Sequence, residues 1–532
     1  MKCKFIYILL SLFLLSACQD DFLDRTPGDQ ISSEIFFTQE KDFLFALNAV
    51  YDALDGEALL WYESWTDNAK TNHSWNPGFY MARGSGDASD GFVASQWGRY
   101  FSAIQGANRI INNIDKPEHF DPDVKAEVLG QAKFLRAYFY HEVTMLFGNV
   151  PLLLESITPE EAKEVSKTSQ TEILSFLARE LSEAEAMLPV SYSDTEKGRA
   201  TKGAALALKA RILLFNHNYA EAAEAAEAVI NLNTYELYPD YFKLFTSYEA
   251  EYSNENVFDA QYNGEDNVDN WITQNWAAQS GGGWSVTTPT RSLVDAYECT
   301  DGLPIDKSPL YDWENPYENR DPRLAMSILY PGREWLGGVY NTVPGATYPG
   351  KDVVNGDALG DGYGQEWNKT KTGYNWLKNL RLEDLGTDNV WDGAGNVYLI
   401  RYAEVLLTYA EAKIEAGSID ASVLEAINTV RDRAGMPAVT TTDQAALREI
   451  VRRERRVELA FEGLRLFDIR RWKVAEEVLN TKVFGIYYVN TESGERDSLF
   501  VEERSFNKER DYLWPIPQEE IDVSGIEQNP GW

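Results

Sequence analysis

The chain has 532 residues, 44% hydrophobic and 25% charged, which is an ordinary composition for a globular protein. Its formal net charge of −35 argues against nucleic acid and anionic lipid headgroups as partners, because both require a positive field. Aromatic residues make up 13% of the chain and include 15 tryptophans, so we expect some rings to be displayed rather than buried.

The N-terminus has the pattern of a bacterial lipoprotein signal. A basic start precedes the apolar run 5–15, which is too short to span a bilayer. Small residues then precede Cys18, as in a lipobox. We predict a signal peptide over 1–17, a lipidated Cys18 that anchors the chain to a membrane, and a short tether over 18–33. An ordinary secretory signal with a chance cysteine is the alternative.

Residues 34–532 are predicted to form one domain, and its first part, 34–234, has helical periodicity. The predicted helices of this part are 40–54, 96–114, 126–146, 170–188, 204–215 and 219–230. The last two are rich in alanine at close-packing positions, which is typical of a tetratricopeptide hairpin. We expect a scaffold with a few such units rather than a solenoid array.

The second part, 235–397, loses this periodicity. Glycine, asparagine, aspartate, proline and tryptophan become dense, and three consecutive glycines occupy 281–283. Long irregular segments within a domain usually carry function, so this part is predicted to form a ligand face. We interpret the segment 319–324 within it as a structural turn.

The third part, 398–532, is predicted to be helical again. A first helix begins near Leu399, a second covers 423–434, and a third begins at Thr441, with Gln444 completing a capping box, and continues to Gly463.

The third helix and the residues after it carry many charges beside an apolar stripe. We predict that Arg455 and Arg465 form two-pronged, partly buried pairs with carboxylates, Asp468 among them. Arg452 and Arg453 are predicted to lie on a solvated face with pairing along the helix.

Three ordered blocks of this third part resemble a known family. The blocks are 454–472 (ERRVELAFEGLRLFDIRRW), 401–407 (RYAEVLL) and 513–517 (LWPIP). Together they resemble the signature of RagB/SusD-type proteins, surface lipoproteins of Bacteroidota that capture nutrients for an outer-membrane transporter.

The resemblance implies a mainly α, SusD-like fold: a tetratricopeptide-like helical scaffold with a long loop-rich insertion. It implies non-catalytic binding of oligo- or polysaccharide on the exterior of the outer membrane. The implied partner is a TonB-dependent, SusC-like transporter, to which the glycan would be delivered. Peptide binding within the same class is the runner-up.

A glycan site needs exposed rings that stack on sugar faces, beside side chains that bond hydroxyls. Two loop regions fit, 61–91 and the irregular part 235–397. The candidate ligand-binding residues are Trp75, Trp284, Asn72, Trp61, Arg83, Trp276 and Trp313. Trp75 is the first candidate because polar turn-forming residues surround it. Trp284 is the second, because it comes directly after the three glycines. We predict structural roles for Trp97, Trp472 and Trp514.

Other functional classes have weaker support. A surface glycosidase needs two carboxylates about 5–10 Å apart, and no motif marks such a pair. The chain has no Gly-x-Ser-x-Gly elbow, phosphate loop or dinucleotide fingerprint. Four histidines without ligand spacing predict no zinc site, and neither acidic loop, 87–91 or 388–396, fits EF-hand spacing. We therefore expect no metal and no cofactor. A tetratricopeptide-like adhesin without a small ligand remains a third possibility.

Overall fold

The computed structural model describes residues 36–155, 157, 160–264, 268–343, 352–355, 368–489 and 494–532. The predicted signal peptide, the Cys18 anchor and the tether lie outside the described residues. The described α-helices are α1 Glu40–Tyr51, α2 Gly56–Tyr62, α3 Gly91–Asn113, α4 Pro122–Phe147, α5 Gln170–Met187, α6 Lys202–Phe215, α7 Tyr219–Asn231, α8 Tyr241–Thr246, α9 Ile272–Trp276, α10 Arg291–Ala296, α11 Pro322–Ser327, α12 Tyr402–Glu415, α13 Ala421–Arg433, α14 Gln444–Glu458, α15 Arg465–Arg471, α16 Ala475–Leu479 and α17 Gln518–Ser524.

The strands are short and form small, separate sheets. The strands are β1 Ala69–Thr71, β2 Asn256–Ala260, β3 Thr287–Pro289, β4 Ile328–Leu329, β5 Glu334–Trp335, β6 Gly338–Asn341, β7 Val353–Asn355, β8 Asn375–Trp376, β9 Val397–Arg401, β10 Lys482–Val489 and β11 Arg496–Glu503. The pairs β1–β3, β2–β9, β4–β8 and β10–β11 are antiparallel, and β5–β6–β7 is a mixed sheet. The fold is therefore mainly α, as predicted.

The long helices pack in sequence order, α3 on α4, α4 on α5, α5 on α6 and α6 on α7. The α6–α7 contact is made by small side chains, since Ala204, Ala210, Ala222 and Ala226 are all fully buried. Helix α12 then packs on α7. Distant parts of the chain thereby form one helical scaffold, and within the described residues no helix is long and apolar enough to cross a bilayer.

The third part begins differently from the prediction. Leu399 lies in strand β9, which pairs with β2, so helix α12 starts three residues later at Tyr402. Helix α14 is capped by Asp443, whose carboxylate accepts from the Ala446 amide at 2.8 Å, so the predicted cap at Thr441 is wrong. The helix also ends at Glu458, five residues before Gly463. Long-range strand pairing and a competing aspartate cap explain these differences.

The predicted two-pronged arginine pairs are confirmed. Arg455 donates to both carboxylate oxygens of Asp468 at 3.1 and 3.2 Å, and Arg465 does the same to Asp67 at 2.9 and 3.0 Å. All four side chains are buried.

The prediction of a solvated face with pairing along the helix is wrong for Arg452 and Arg453. Their side chains are only 26% and 25% exposed, and they pair with Glu415 of α12 and with Glu298, outside their own helix.

Further arginines join the core of this part in an arginine network. Its members are Arg323, Arg401, Arg433, Glu454, Glu458 and Glu462. Glu458 accepts from Arg401 at 2.7 Å, from Arg323 at 2.8 Å and from Arg433. Burial alone would raise the pKa of Glu458, but these guanidinium groups hold it well below its usual value.

The segment 319–324 has a structural role, as predicted, but only its first residues form a turn, because helix α11 begins at Pro322. Asp321 caps α11 and Pro322 takes the first helical position. Arg323 is fully buried and reaches Glu454 of α14 at 2.6 Å, which ties the irregular part to the C-terminal helices.

Candidate functional site

Three tryptophans of the irregular part meet at the surface and form a tryptophan cluster of Trp271, Trp284 and Trp391. The ring centroids lie 6.4 Å apart for Trp271–Trp284, 6.2 Å for Trp271–Trp391 and 5.2 Å for Trp284–Trp391, each pair edge to face. Trp271 is 45% and Trp391 43% exposed, while Trp284 is half-buried. Such a group of rings offers flat apolar surface of the kind that stacks on a sugar ring.

Backbone pairing brings the three rings together. Asn270 and Gly393 exchange both backbone hydrogen bonds at 3.0 Å, which places Trp271 beside Trp391. Trp284 is held by its amide, which donates to the Gln274 carbonyl at 2.8 Å. The preceding Gly283 must be glycine, since a Cβ there would lie 2.2 Å from the Ala277 carbonyl oxygen.

A carboxylate supports the base of the cluster. Glu57 accepts from the Trp271 amide at 3.1 Å and from the Asn275 side-chain amide at 2.8 Å. Burial raises the pKa of Glu57 to about 7. Asp269 accepts from the indole N–H of Trp271 at 3.1 Å. The rings are thus fixed in orientation, and polar atoms lie next to them.

The loop 72–80 displays a second aromatic pair. Trp75 is 60% exposed, and its ring stacks on His73 with centroids 4.7 Å apart and planes at 3°. Burial, followed by the nearby charges of Lys371 and Lys70, lowers the pKa of His73 to about 4. The imidazole is therefore neutral at physiological pH and acts as an aromatic support for Trp75.

Strand pairing sets this loop beside the tryptophan cluster. Thr71 pairs with Thr287 in the β1–β3 ladder, and the Asn72 amide continues it by donating to the Val286 carbonyl at 2.8 Å. The Asn72 side chain also donates to the carbonyl of Ser285, the residue after Trp284. The two residues that led the prediction, Trp75 and Trp284, therefore belong to neighbouring loops.

Other predicted ligand residues lie in the interior. Trp276 is fully buried and donates to Thr287 at 2.6 Å, and Trp61 is 8% exposed and packs on Trp276 with centroids 4.8 Å apart. Asn72 is 7% exposed, donates to the Ser285 carbonyl and accepts from Thr288 at 3.3 Å. The surfaces of these three residues are used mainly for packing and strand pairing, so ligand contact by them stays a prediction without structural support.

Arg83 lies at the edge of the loop 72–80 with a mainly structural set of contacts. Its guanidinium lies 3.6 Å over the Phe79 ring and donates to Glu502 of β11 at 2.9 Å. Lys70 and Arg504 share the same carboxylate. The side chain is 27% exposed, so ligand contact by Arg83 stays a prediction.

Trp313 lies on a separate surface, the hairpin cleft, a cavity of about 610 Å³ beside the β10–β11 hairpin. Trp313 is 46% exposed. The cleft shares no described residue with the tryptophan cluster. Sequence reasoning placed Trp313 in the same candidate site as Trp284, and the structure separates the two.

Three tryptophans were predicted to be structural, and all are. Trp97 and Trp514 are buried, and the indole of Trp472 donates to Glu411 at 2.7 Å beneath the Arg452 guanidinium. Conversely, Trp391 was not among the candidates. It lies in the acidic loop 388–396 next to turn-forming residues, the same signal that singled out Trp75.

No cluster of metal-ligating side chains occurs within the described ranges of the chain. The surface described above is aromatic, with carboxylate and amide groups nearby. Such a combination can hold a neutral, hydroxyl-rich ligand by stacking and hydrogen bonding.

Comparison with known proteins relates the chain to one family over nearly its whole length. The SusD family profile matches residues 244–532, and a profile described as starch-binding, associating with the outer membrane, matches 21–214. SusD-like protein P2 of Formosa agariphila is 27% identical, and the alignment covers 100% of both chains.

Solved structures agree. A SusD-like carbohydrate-binding protein from Bacteroides fragilis is 32% identical, with a TM-score of 0.83 over 92% of this chain and 99% of that one. The surface glycan-binding protein A of Bacteroides thetaiotaomicron, solved with laminarihexaose, shares the fold at 18% identity and a TM-score of 0.69, covering 92% of this chain and 99% of its own. The chain belongs to the SusD family.

Proposed function

We propose that this protein is a non-catalytic, cell-surface protein that binds oligo- or polysaccharide through the tryptophan cluster and the loop 72–80. The observation that carries the proposal is the exposed group of Trp271, Trp284 and Trp391, with the exposed Trp75 on the neighbouring loop. Exposed tryptophans held in place by backbone pairing lose little conformational freedom on binding, which favours their use in recognition. Similarity to a carbohydrate-binding protein of Bacteroides fragilis supports the same assignment.

The carboxylates near the cluster support binding rather than hydrolysis. A glycosidase places two carboxyl groups on opposite sides of the scissile bond. Both oxygens of Glu57 are engaged by the Trp271 amide and the Asn275 side chain, which fixes Glu57 as a support of the indole rings. The raised pKa of Glu57 is a property that the general acid of a glycosidase would share, so the test includes a measurement of product.

The test is affinity electrophoresis of the mature chain from Gln19, which retains every described residue. Gels would contain laminarin, starch, xyloglucan or galactomannan. We expect retardation by at least one neutral polysaccharide, with no new reducing ends over time. Trp75→Ala and Trp284→Ala should each weaken binding about tenfold or more, as expected for central aromatic contacts.

A matched control is Phe45→Ala, which removes a ring that is 63% exposed on helix α1, a helix that packs against α3 and α4. This variant should migrate as the wild type does. Release of reducing ends would instead establish a glycosidase, and retardation by peptides alone would favour the peptide-binding alternative.

We also propose that the protein is anchored at the outer face of the outer membrane through lipid on Cys18 and passes its ligand to a TonB-dependent, SusC-like transporter. The lipobox-like sequence and the family support this placement. Mass spectrometry of the mature N-terminus should find acyl chains on Cys18. Cys18→Ser should release the protein from the membrane fraction, and cross-linking in cells should join the wild type to the transporter.

A further inference from the structure

The hairpin cleft brings together two regions that are distant in sequence, the irregular part and the C-terminal hairpin. It lies between the loop 313–318, the segment 330–332 and the β10–β11 hairpin, and its volume is about 610 Å³. Cavities of this size lie within the range of small-ligand sites. The lining side chains used below are Trp313, Glu314, Glu318, Tyr330, Tyr487 and Arg496.

Aromatic rings form much of the cleft wall. Tyr317 and Tyr330 stack with centroids 4.2 Å apart and planes at 20°. On the other side the Arg496 guanidinium lies 3.6 Å over the Tyr487 ring and 5.4 Å from the Trp313 ring centroid. The cleft wall is therefore aromatic on two sides, with the rings held by one another and by a guanidinium, and Trp313 keeps an exposed ring.

Polar groups accompany these rings. Nε of Arg496 is buried and has no hydrogen-bond partner among the described residues. The same guanidinium lines the cleft, so its other N–H groups can donate to an acceptor oxygen that enters. Glu314 and Glu318 lie in the same wall and are exposed. Two carboxylates against one guanidinium disfavour an anionic ligand and suit hydroxyl groups.

We propose that the hairpin cleft is a second carbohydrate site, which takes a neutral stretch of the same polysaccharide chain that the tryptophan cluster binds. This inference rests on the proposed function. Stacking faces, a guanidinium donor and carboxylate acceptors are together the groups that recognise the faces and hydroxyls of a neutral sugar.

The chain path limits the separation of the two sites. Seven residues join Trp284 to Arg291, so their Cα atoms are at most about 25 Å apart. The Arg291 guanidinium lies 4.5 Å from the centroid of Tyr487, which lines the cleft. A polysaccharide of several sugar units can therefore reach both sites on one molecule.

Bivalent binding has a measurable signature. Once one site is occupied, the second binds at an effective concentration set by the connecting glycan, which can raise the overall affinity by about 10²–10⁴. Long chains should therefore bind at least about tenfold more tightly than short oligosaccharides of the same polymer.

The test uses the mature chain from Gln19 with the polysaccharide that retards it best and a short oligosaccharide made from that polymer. Calorimetry would measure both ligands on wild type, Trp313→Ala and Arg496→Gln. We expect both variants to lose about tenfold or more in affinity for the polysaccharide. They should keep the oligosaccharide affinity of the tryptophan cluster but lose the oligosaccharide that the cleft binds in wild type. Phe500→Ala is the matched control, because its ring is 54% exposed on the same hairpin and lies outside the cleft lining.

The outcomes separate the two proposals. If Trp284→Ala abolishes polysaccharide binding while both cleft variants match wild type, the second site is wrong and the proposed function stands. Equal wild-type affinity for long and short chains would also overturn the second site. If the wild type binds no glycan, both proposals fail, and loss of peptide binding in the cleft variants would assign the cleft to peptides. The melting temperature of each variant checks its fold.

Discussion

The arginine network and the tryptophan cluster differ in what surrounds them, although both gather side chains that sequence reasoning marks as suitable for binding. In the network, Glu458 is fully buried and its carboxylate is occupied by three guanidinium groups. In the cluster, Trp271 and Trp391 keep more than two fifths of their surface exposed. Buried groups whose hydrogen bonds are satisfied hold the scaffold together, whereas rings held at the surface by backbone pairing stay available for a ligand.

The largest expected effect comes from breaking the network. Glu458→Gln removes the charge that Arg323, Arg401 and Arg433 share, and we expect the free energy of unfolding to fall by about 3–5 kcal/mol. Chemical denaturation would measure it. Asp115→Asn is the control, since Asp115 is 88% exposed in its pair with Lys125, and this change should cost less than about 1 kcal/mol. Equal losses in the free energy of unfolding for the two substitutions would contradict this difference between a buried and an exposed charge.

Two tryptophans of one short stretch sharpen the comparison. Trp276→Ala empties a fully buried site and should lower the free energy of unfolding by about 3–5 kcal/mol. Trp284→Ala removes ring contacts worth about 1 kcal/mol and should leave the fold intact while glycan binding falls about tenfold or more. Calorimetric melting and affinity electrophoresis separate the two effects. If Trp284→Ala destabilised the protein as strongly as Trp276→Ala, the cluster would be part of the core.

Glu57 should give the cluster a pH dependence of stability. Because its folded pKa is raised from 4.5 to about 7, folding favours the protonated carboxyl, so this contribution is present below pH 4.5 and is lost as the pH rises towards 7. In Glu57→Gln we expect a smaller fall in the free energy of unfolding between these pH values than in wild type. Parallel denaturation profiles for the two proteins would show that Glu57 titrates normally.

The smallest expected effect is that of Arg83→Gln. The side chain is 27% exposed, and its pairing with Glu502 should contribute about 1 kcal/mol or less. If Arg83 only positions the loop 72–80, glycan affinity should fall by less than about fivefold, which corresponds to the same 1 kcal/mol. A tenfold or greater loss without a change in melting temperature would place Arg83 in contact with the ligand.

Local sequence patterns were sufficient to predict the helical scaffold. The alanine-rich faces of α6 and α7 and the apolar stripe of α13 were predicted from spacing, because helical periodicity depends on neighbours in the chain. The two-pronged pairing of Arg455 with Asp468 was also predicted, since these residues lie 13 positions apart around one short connection. The cap of α14 was missed because Asp443 and Thr441 carry similar local signals.

The amino-acid sequence by itself determined that this is a mainly helical protein of the SusD family and that its loops are rich in tryptophan. Only the tertiary structure decided which rings face solvent. Trp276 and Trp284 have similar neighbours, but Trp276 is covered by Trp61 and Phe461, whereas Trp284 is placed at the surface beside Trp391. Loop residues have no periodicity that marks a buried side, so their exposure depends on contacts with residues far along the chain.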